Sequence, residues 1–378
     1  MTAALSIVPT SPAAGSTGSL YGTGHTAGVK VRVKRDGTVV ATICAVDNPS
    51  GSWSAQVTMG TTAGTQTFTS EEYSGGAWSG TVASLPVTVS ALSTVTLPAA
   101  VSMASFYQVL QDLTVGTIQL TGGTLQDWNL YAWVNRTSAY PISVVPVTGA
   151  TVIWDGSGLG AGAFGPLNFG SLIHQPGYPS AVTDYITFDA TGGTFKIQNY
   201  QLGEAGLALT GWVDHLAFNG FTVVNCSGDA AQNKSHCLYV QSDTYTPAGH
   251  AGHHATNITA NGWNVTGDVA RTLNGVQTYH SLNVAGLTIH TWTVTKLHRW
   301  IYAWADATGI DLDGWNGTNC DATIDAIHDV AGGNDAAGTV KNSNAHGSCG
   351  PLSRGTYGSG GNFWSSGGSV TDGGGNSV

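Results

Sequence analysis

The chain has 378 residues, of which only 9% are charged, with 12 Lys plus Arg against 22 Asp plus Glu and a formal net charge of −10. A phosphate-binding surface needs clustered cations, so nucleic acid is disfavoured as a partner, and no apolar run reaches the ~18 residues that cross a bilayer as a helix. The 53 glycines, with many Ser and Thr, favour turns and strands over helices.

The N-terminal segment MTAALSIVPTSPAAGSTGS lacks a cationic start and a sustained apolar core, so it does not read as a secretory signal. Residues 1–95 then alternate in the manner of strands near Ser19–Tyr21, Gly28–Val33, Val39–Ala45, Ser52–Val57, Thr65–Ser70 and Gly80–Val89. Asp36-Gly37 supplies the positive φ of a tight hairpin. Lys30, Arg32, Lys34 and Arg35 alternate along one strand and read as its solvated face. Pro9-Thr10, Gly22-Thr23-Gly24, Ala27-Gly28-Val29, Asp36-Gly37 and Gly51-Ser52-Trp53-Ser54 resemble bacterial immunoglobulin-like domains of the kind found in adhesins and phage tail proteins. The resemblance implies an Ig-like β-sandwich over 1–95 that spaces or docks, with no catalytic residues.

Residues 90–98 read as a linker. Residues 99–113 carry Val101, Ala104, Phe106, Val109, Leu110 and Leu113 at helical spacing, and 96–116 reads as a linker and a helix that caps the open end of the next domain.

From residue 117 a nine-residue figure recurs, two apolar-alternating arms hinged on a glycine. Its hinges are Gly122, Gly149, Gly192, Gly220, Gly262, Gly286 and Gly314, at intervals of 27, 43, 28, 42, 24 and 28 residues. The column two places into each copy is apolar in all seven, and the ninth fails only at Gly317. Units of this size cannot bury their own apolar face and must stack. Short strands, a regular turn and no intervening helices predict a parallel β-helix over 117–349, in preference to an antiparallel sandwich. Two insertions, 155–184 and 225–256, interrupt it, and a Gly/Ser-rich tail occupies 350–378.

Cys226 with Cys237, and Cys320 with Cys349, are placed either to form disulfides or to lie as buried free thiols; Cys44 stands alone. His236, His250, His253 and His254 lack a carboxylate or cysteine frame, and no metal or other cofactor is expected.

The coil pattern resembles the pectate-lyase-like right-handed β-helix superfamily, which includes pectate lyases, polygalacturonases and phage tailspikes. That resemblance implies a fold more than an activity. Polygalacturonase-like members use clustered aspartates and a Gly-His-Gly step. Here Asp311 and Asp313 share one strand face, Asp306 lies nearby, and Ala345-His346-Gly347 is the nearest match to that step. If the protein is an enzyme, Asp311 and Asp313 are the expected acid and base of a polysaccharide hydrolase or lyase; otherwise they are a strand's outer face. A lyase needs a basic residue beside calcium, and only Arg271, Lys296 and Arg299 lie in the later coils.

Trp300, Tyr302 and Trp304 alternate beside Arg299. They form either a platform for stacking sugar rings or part of the core. An Ig-like module, a β-helix and a Gly/Ser tail together resemble a bacteriophage minor tail or tail-fibre protein. That implies other tail proteins and a host-surface glycan or protein as partners, and a homo-oligomer, with the trimer the usual tailspike state. It also implies synthesis in the host cytoplasm, release by lysis and residence in the virion. A tailspike-like depolymerase and a purely structural tail protein are the competing expectations.

Overall fold

The computed structural model describes residues 2–43, 46, 50–98, 101–126, 128–130, 136, 140–159, 165–170, 183–201, 205–210, 213–228, 235–241, 255–270, 272–279, 284–303, 307–320, 322–326, 337–343, 364–366, 369–372 and 374. Trp304, Asp306, His250, His253, His254, His346, Cys44, Cys349 and most of the two insertions and of the tail lie outside them. The chain forms two compact units: Met1–Ser93 with Ser138–Tyr140, and Thr94–Thr137 with Pro141–Val378.

The first unit contains β1 (Ala4–Val8), β2 (Thr17–Thr23), β3 (Lys30–Arg35), β4 (Thr38–Ile43), β5 (Trp53–Thr58), β6 (Gly64–Ser74), β7 (Ala77–Trp78) and β8 (Ala83–Val89). One antiparallel sheet has the order β1-β2-β5. The other runs β4-β3-β6, with β7 and β8 both paired to β6. Alternate residues of both sheets, among them Leu20, Val31, Val33, Val57, Phe68 and Val87, meet in one apolar cluster. Asp36 and Gly37 turn the β3–β4 hairpin with φ of 47° and 84°. The basic strand is not simply solvated. Glu71 pairs with both Arg32 and Lys34, the latter at 2.6 Å, and the Arg32 guanidinium lies 4.5 Å from the Trp78 ring centre.

The second unit is a parallel β-helix. Among the described residues its strands form three sheets of eleven, seven and eight strands, and each coil adds one strand to each in turn. Val213–Asn219, Phe221–Val224 and His236–Gln241 make one such coil. Ser93–Leu97, expected as a linker, is instead a strand at the edge of the first sheet. Its alternating Ser-Thr-Val-Thr-Leu suits a strand, and Val95 and Leu97 pack on the core.

Helix α1 (Met103–Gln111) is N-capped by the Ser102 side chain and inserts Phe106 and Leu110 into the helix core. Ala104 and Leu113 of the expected stripe are exposed. The C-terminal carbonyls of α1 are satisfied by Arg136, whose buried guanidinium donates to Leu110 O at 2.7 Å, Val115 O at 2.9 Å and Asp112 O at 2.8 Å. Burial lowers the Arg136 pKa to about 10, so it remains a cation.

In the coils from Val213 onward the first-to-second-sheet corner turns on one residue of positive φ, Gly220 (74°), Gly262 (66°), Thr291 (57°), Gly314 (67°) and Asn342 (50°), whereas the earlier corners 147–150 and 190–193 are four residues long. The N–H of each glycine or threonine hinge donates to the carbonyl just before the next hinge, as Gly220 does to Asn261 O at 2.8 Å and Thr291 to Asp313 O at 2.7 Å. Gly286 is therefore not a hinge, contrary to the repeat alignment. The strand register places it beside Asn257 and Gly309, in a second positive-φ column nearer the strand start.

After four of these hinges an aromatic side chain turns inward, and after Asn342 a buried serine, Ser343. Trp263, Trp292 and Trp315 stack at 4.6 and 4.8 Å, with Phe221 below at 5.1 Å. Their indole N–H groups donate to Phe218 O, Ala260 O and Ile289 O at 2.8 to 2.9 Å, so each buried ring is hydrogen-bonded to the coil beneath.

Candidate functional site

Trp300 does not stand in a surface platform; Trp304 and the Tyr302 side chain lie outside the described residues. Trp300 is 2% exposed and Ile301 1%, because the corner entering the third sheet turns two consecutive side chains inward. Trp300 stacks on Trp315 at 5.4 Å. Its indole fills the space where a side chain at Gly317 would stand, which explains the one failure of the ninth column. Trp300 is thus a core residue and not a sugar contact. Tyr302 takes a strand position opposite Gln277 and Asp325. Arg299 is half-buried in register with Asn274, which follows His236.

Across Ala205–Thr210, His236–Gln241 and Asn274–Tyr279 the described side chains of the third sheet are buried on both faces, unlike those of the first. Leu207, Leu238, Val276 and Ile301 occupy its inner column, and Ala208, Tyr239 and Gln277 the outer one. His236 is fully enclosed here. Its ring stacks on Tyr239 at 5.7 Å, and its Nδ1 lies 3.3 Å from Asn274 Nδ2. Burial and then the Arg299 charge push its pKa down to about 3, so the ring is neutral. Among the described residues no three His, Cys, Asp or Glu side chains are grouped to hold a metal ion. Cys226, Cys237 and Cys320 are buried free thiols, and burial raises the Cys226 pKa to about 12.

Asp311 and Asp313 do share the outer face of the first sheet, but neither stands alone. Asp311 lies 2.9 Å from His290 Nε2 and 3.4 Å from Lys341 Nζ. Asp313 lies 3.6 Å from Lys341 Nζ and accepts from Asn342 Nδ2 at 3.0 Å. The register continues this face as a polar ladder, Asn219, Asn261, His290, Asp313 and Lys341 on successive coils.

A different carboxyl pair comes together at the start of the first sheet. Asp184 and Asp214 are in register on adjacent coils, so their backbones lie ~4.8 Å apart. Asp184 accepts the Arg136 N–H at 2.9 Å. Burial, reinforced by the Asp214 charge, raises the Asp184 pKa to about 7, leaving it partly protonated at neutrality. Asp214 is ringed by donors: Thr256 Oγ1 at 2.5 Å, Asn257 Nδ2 at 2.8 Å and the His215 N–H at 2.9 Å. Next to the pair, the Tyr185 and His215 rings stack at 4.4 Å, both residues at positive φ (52° and 50°). A proton-bearing carboxyl beside a second, donor-ringed one is an arrangement capable of acid–base chemistry. Sequence reading missed it because Asp184 falls to the first insertion as its last residue and both residues precede the columns that repeat.

The fold and these sites define a parallel β-helix protein carrying an N-terminal antiparallel β unit. No protein-family model and no curated protein matches the chain. Among solved structures it is similar to the family 28 exopolygalacturonase of Yersinia enterocolitica, at 10% identity over 90% of this chain and 91% of that one, with a TM-score of 0.22. At that score the two chains do not superpose as wholes, and the β-helix rests on this chain's own strand pairing.

Proposed function

We propose that this chain is a virion tail component, a tail-fibre or minor tail protein. Its N-terminal unit, an immunoglobulin-like module, docks to other tail proteins, and its β-helix contacts a glycan of the host surface. The observation that carries this reading is where sequence length varies. The connection between the first and second sheets is never longer than four residues, 147–150 and 190–193 being the longest among the described strands. The connections leaving the third sheet range from residues 211–212 to 171–182, 242–254 and 327–336. A stiff stack whose coils tolerate connections of very different length suits display, and several copies convert weak contacts into avidity. Arg299, Tyr302 and Trp304 stay in the proposed glycan contact, joined by the partly exposed polar ladder through His290; Trp300 leaves it.

The test is incubation of the purified protein with host cell-wall and capsular polysaccharides, following binding by pull-down and cleavage by release of reducing ends. Binding without cleavage, weakened by Tyr302→Ala, Trp304→Ala or His290→Ala, is the expected result. A protein that retains none of these polysaccharides does not contact a host glycan.

The Asp184–Asp214 pair favours a second reading, a polysaccharide depolymerase. Release of reducing ends that is abolished by Asp184→Asn and by Asp214→Asn would establish it, whereas Asp311→Asn, in an ion-paired ladder, would leave cleavage intact.

A further inference from the structure

The charge of the chain is divided unequally between its two units. The first has four Lys and Arg and four Asp and Glu, whereas the β-helix unit has 8 against 18 and so carries the whole net charge of −10. Its first sheet sets Asp184, Asp189, Asp214, Asp311 and Asp313 at partly exposed positions. Among the described residues Lys341 is the one Lys or Arg side chain on that face, and it stands between Asp311 and Asp313 at 3.4 and 3.6 Å. Both histidines of the face are held by carboxylates, His215 Nδ1 at 2.8 Å from Asp214 and His290 Nε2 at 2.9 Å from Asp311. Away from it, Arg136 is turned into the carbonyls of α1, and Arg299 has its Nε and Nη1 atoms enclosed.

A carboxylate offers only hydrogen-bond acceptors, so a ligand that meets this face must bring donors. The hydroxyl, amide N–H and ammonium groups of sugars do so. Asn219, Asn261, Thr259 and Thr288, which continue the same outer face between the carboxyls, both donate and accept and suit the same hydroxyls. A uronate, phosphate or sulfate brings acceptors and a like charge instead. Among the described residues this face has no cation free of a carboxylate to receive one, and a surface of one sign repels at a distance, out to a Debye length of ~10 Å at 0.1 M salt.

We propose that the glycan taken by the first-sheet face is uncharged or amino-substituted, and that the charge of the β-helix rejects polymers bearing uronate, phosphate or sulfate. The inference rests on the host-contact reading and names the class of glycan within it.

Host cell-wall and capsular polysaccharides, separated on an anion exchanger into a flow-through and an acidic fraction, test it. Each fraction is offered to the immobilised full chain, with calcium and with a chelator. The flow-through is expected to bind, and the acidic fraction to bind about tenfold or more weakly at low salt, with the gap narrowing towards ~1 M salt as screening shortens the field. Asp311→Asn with Asp313→Asn removes two charges and releases Lys341, so this variant should take up more of the acidic fraction; unchanged circular dichroism confirms that it folds. Equal or tighter binding of the acidic fraction at low salt, directly or through calcium, overturns the proposal and leaves the host-contact reading standing. So does weak binding of the acidic fraction that neither salt nor the variant alters, because charge is then not what excludes it. If neither fraction binds, the host-contact reading itself fails and the proposal falls with it.

Discussion

Acidification should destabilise the β-helix through His236, and the size of the effect is set by its burial. In the unfolded chain a histidine titrates near its ordinary value of about 6.5; in the folded chain His236 titrates near about 3. The unfolded state therefore binds the proton first, and the stabilising contribution is complete above pH 6.5 and is lost as pH falls toward 3. At ~1.4 kcal/mol per unit of pKa difference, the loss on going from pH 7 to pH 4 is ~3 kcal/mol. Asp184 works in the opposite direction. Its pKa is raised on folding, so its penalty is absent below about pH 4 and grows as pH rises toward 7. The two are separated by difference. Urea unfolding, followed by fluorescence of the stacked tryptophans, is measured between pH 4 and 7 on the wild type and on His236→Gln, which keeps a polar side chain beside Asn274 but cannot take up a proton. The wild type should lose ~3 kcal/mol more than the variant across that range. Identical pH slopes would refute the argument, because His236 would then be solvated enough to titrate normally in the fold.

Other substitutions probe the rest of the frame. Asp184→Asn retains an acceptor for the Arg136 N–H and removes a half-buried carboxylate, so its thermal midpoint should rise at pH 8 by an amount worth ~1 kcal/mol, with the gain gone at pH 4. Gly317→Leu drives a side chain into the Trp300 indole and should cost ~3 kcal/mol in chemical denaturation. Arg136→Met leaves the α1 carbonyls buried without donors; a loss of ~3 kcal/mol or more and faster proteolysis within 99–113 are expected. Thr291→Gly relieves a β-branched residue held at φ 57° and should stabilise by ~1 kcal/mol, measured by unfolding midpoint, although glycine in a strand ordinarily destabilises.

The helix was legible in the chain where one face is buried and the other wet. In the first sheet the strand Val213–Asn219 alternates buried and accessible residues, and the glycine after it marks a corner that only a positive φ can make. Six of the seven hinge glycines stand at or beside that corner. The seventh, Gly286, misled because Thr291 holds the hinge of its coil and Gly286 serves a second column that requires the same backbone. Where burial is two-sided the rule of alternation has nothing to read. His236, Cys237, Leu238, Tyr239 and Val240 are all buried, so the third sheet gives no period-two signal.

Arg299–Ala303 shows the functional cost of that blindness. Alternation grouped Trp300 with Tyr302 and set Ile301 against them, yet Trp300 and Ile301 both enter the core because the strand begins at a corner. Parity counted across a corner is therefore no guide to which aromatic meets solvent. The same physics hid the carboxyl pair. Asp184 and Asp214 are 30 positions apart in sequence and adjacent in space only because parallel coils bring each residue level with its counterpart one turn later. In a stacked fold, chemistry is assembled along columns, and a column can be read from sequence only as far as the length of every intervening connection is known. Here those connections vary most where they leave the third sheet, immediately before the strands that carry Asp184 and Asp214.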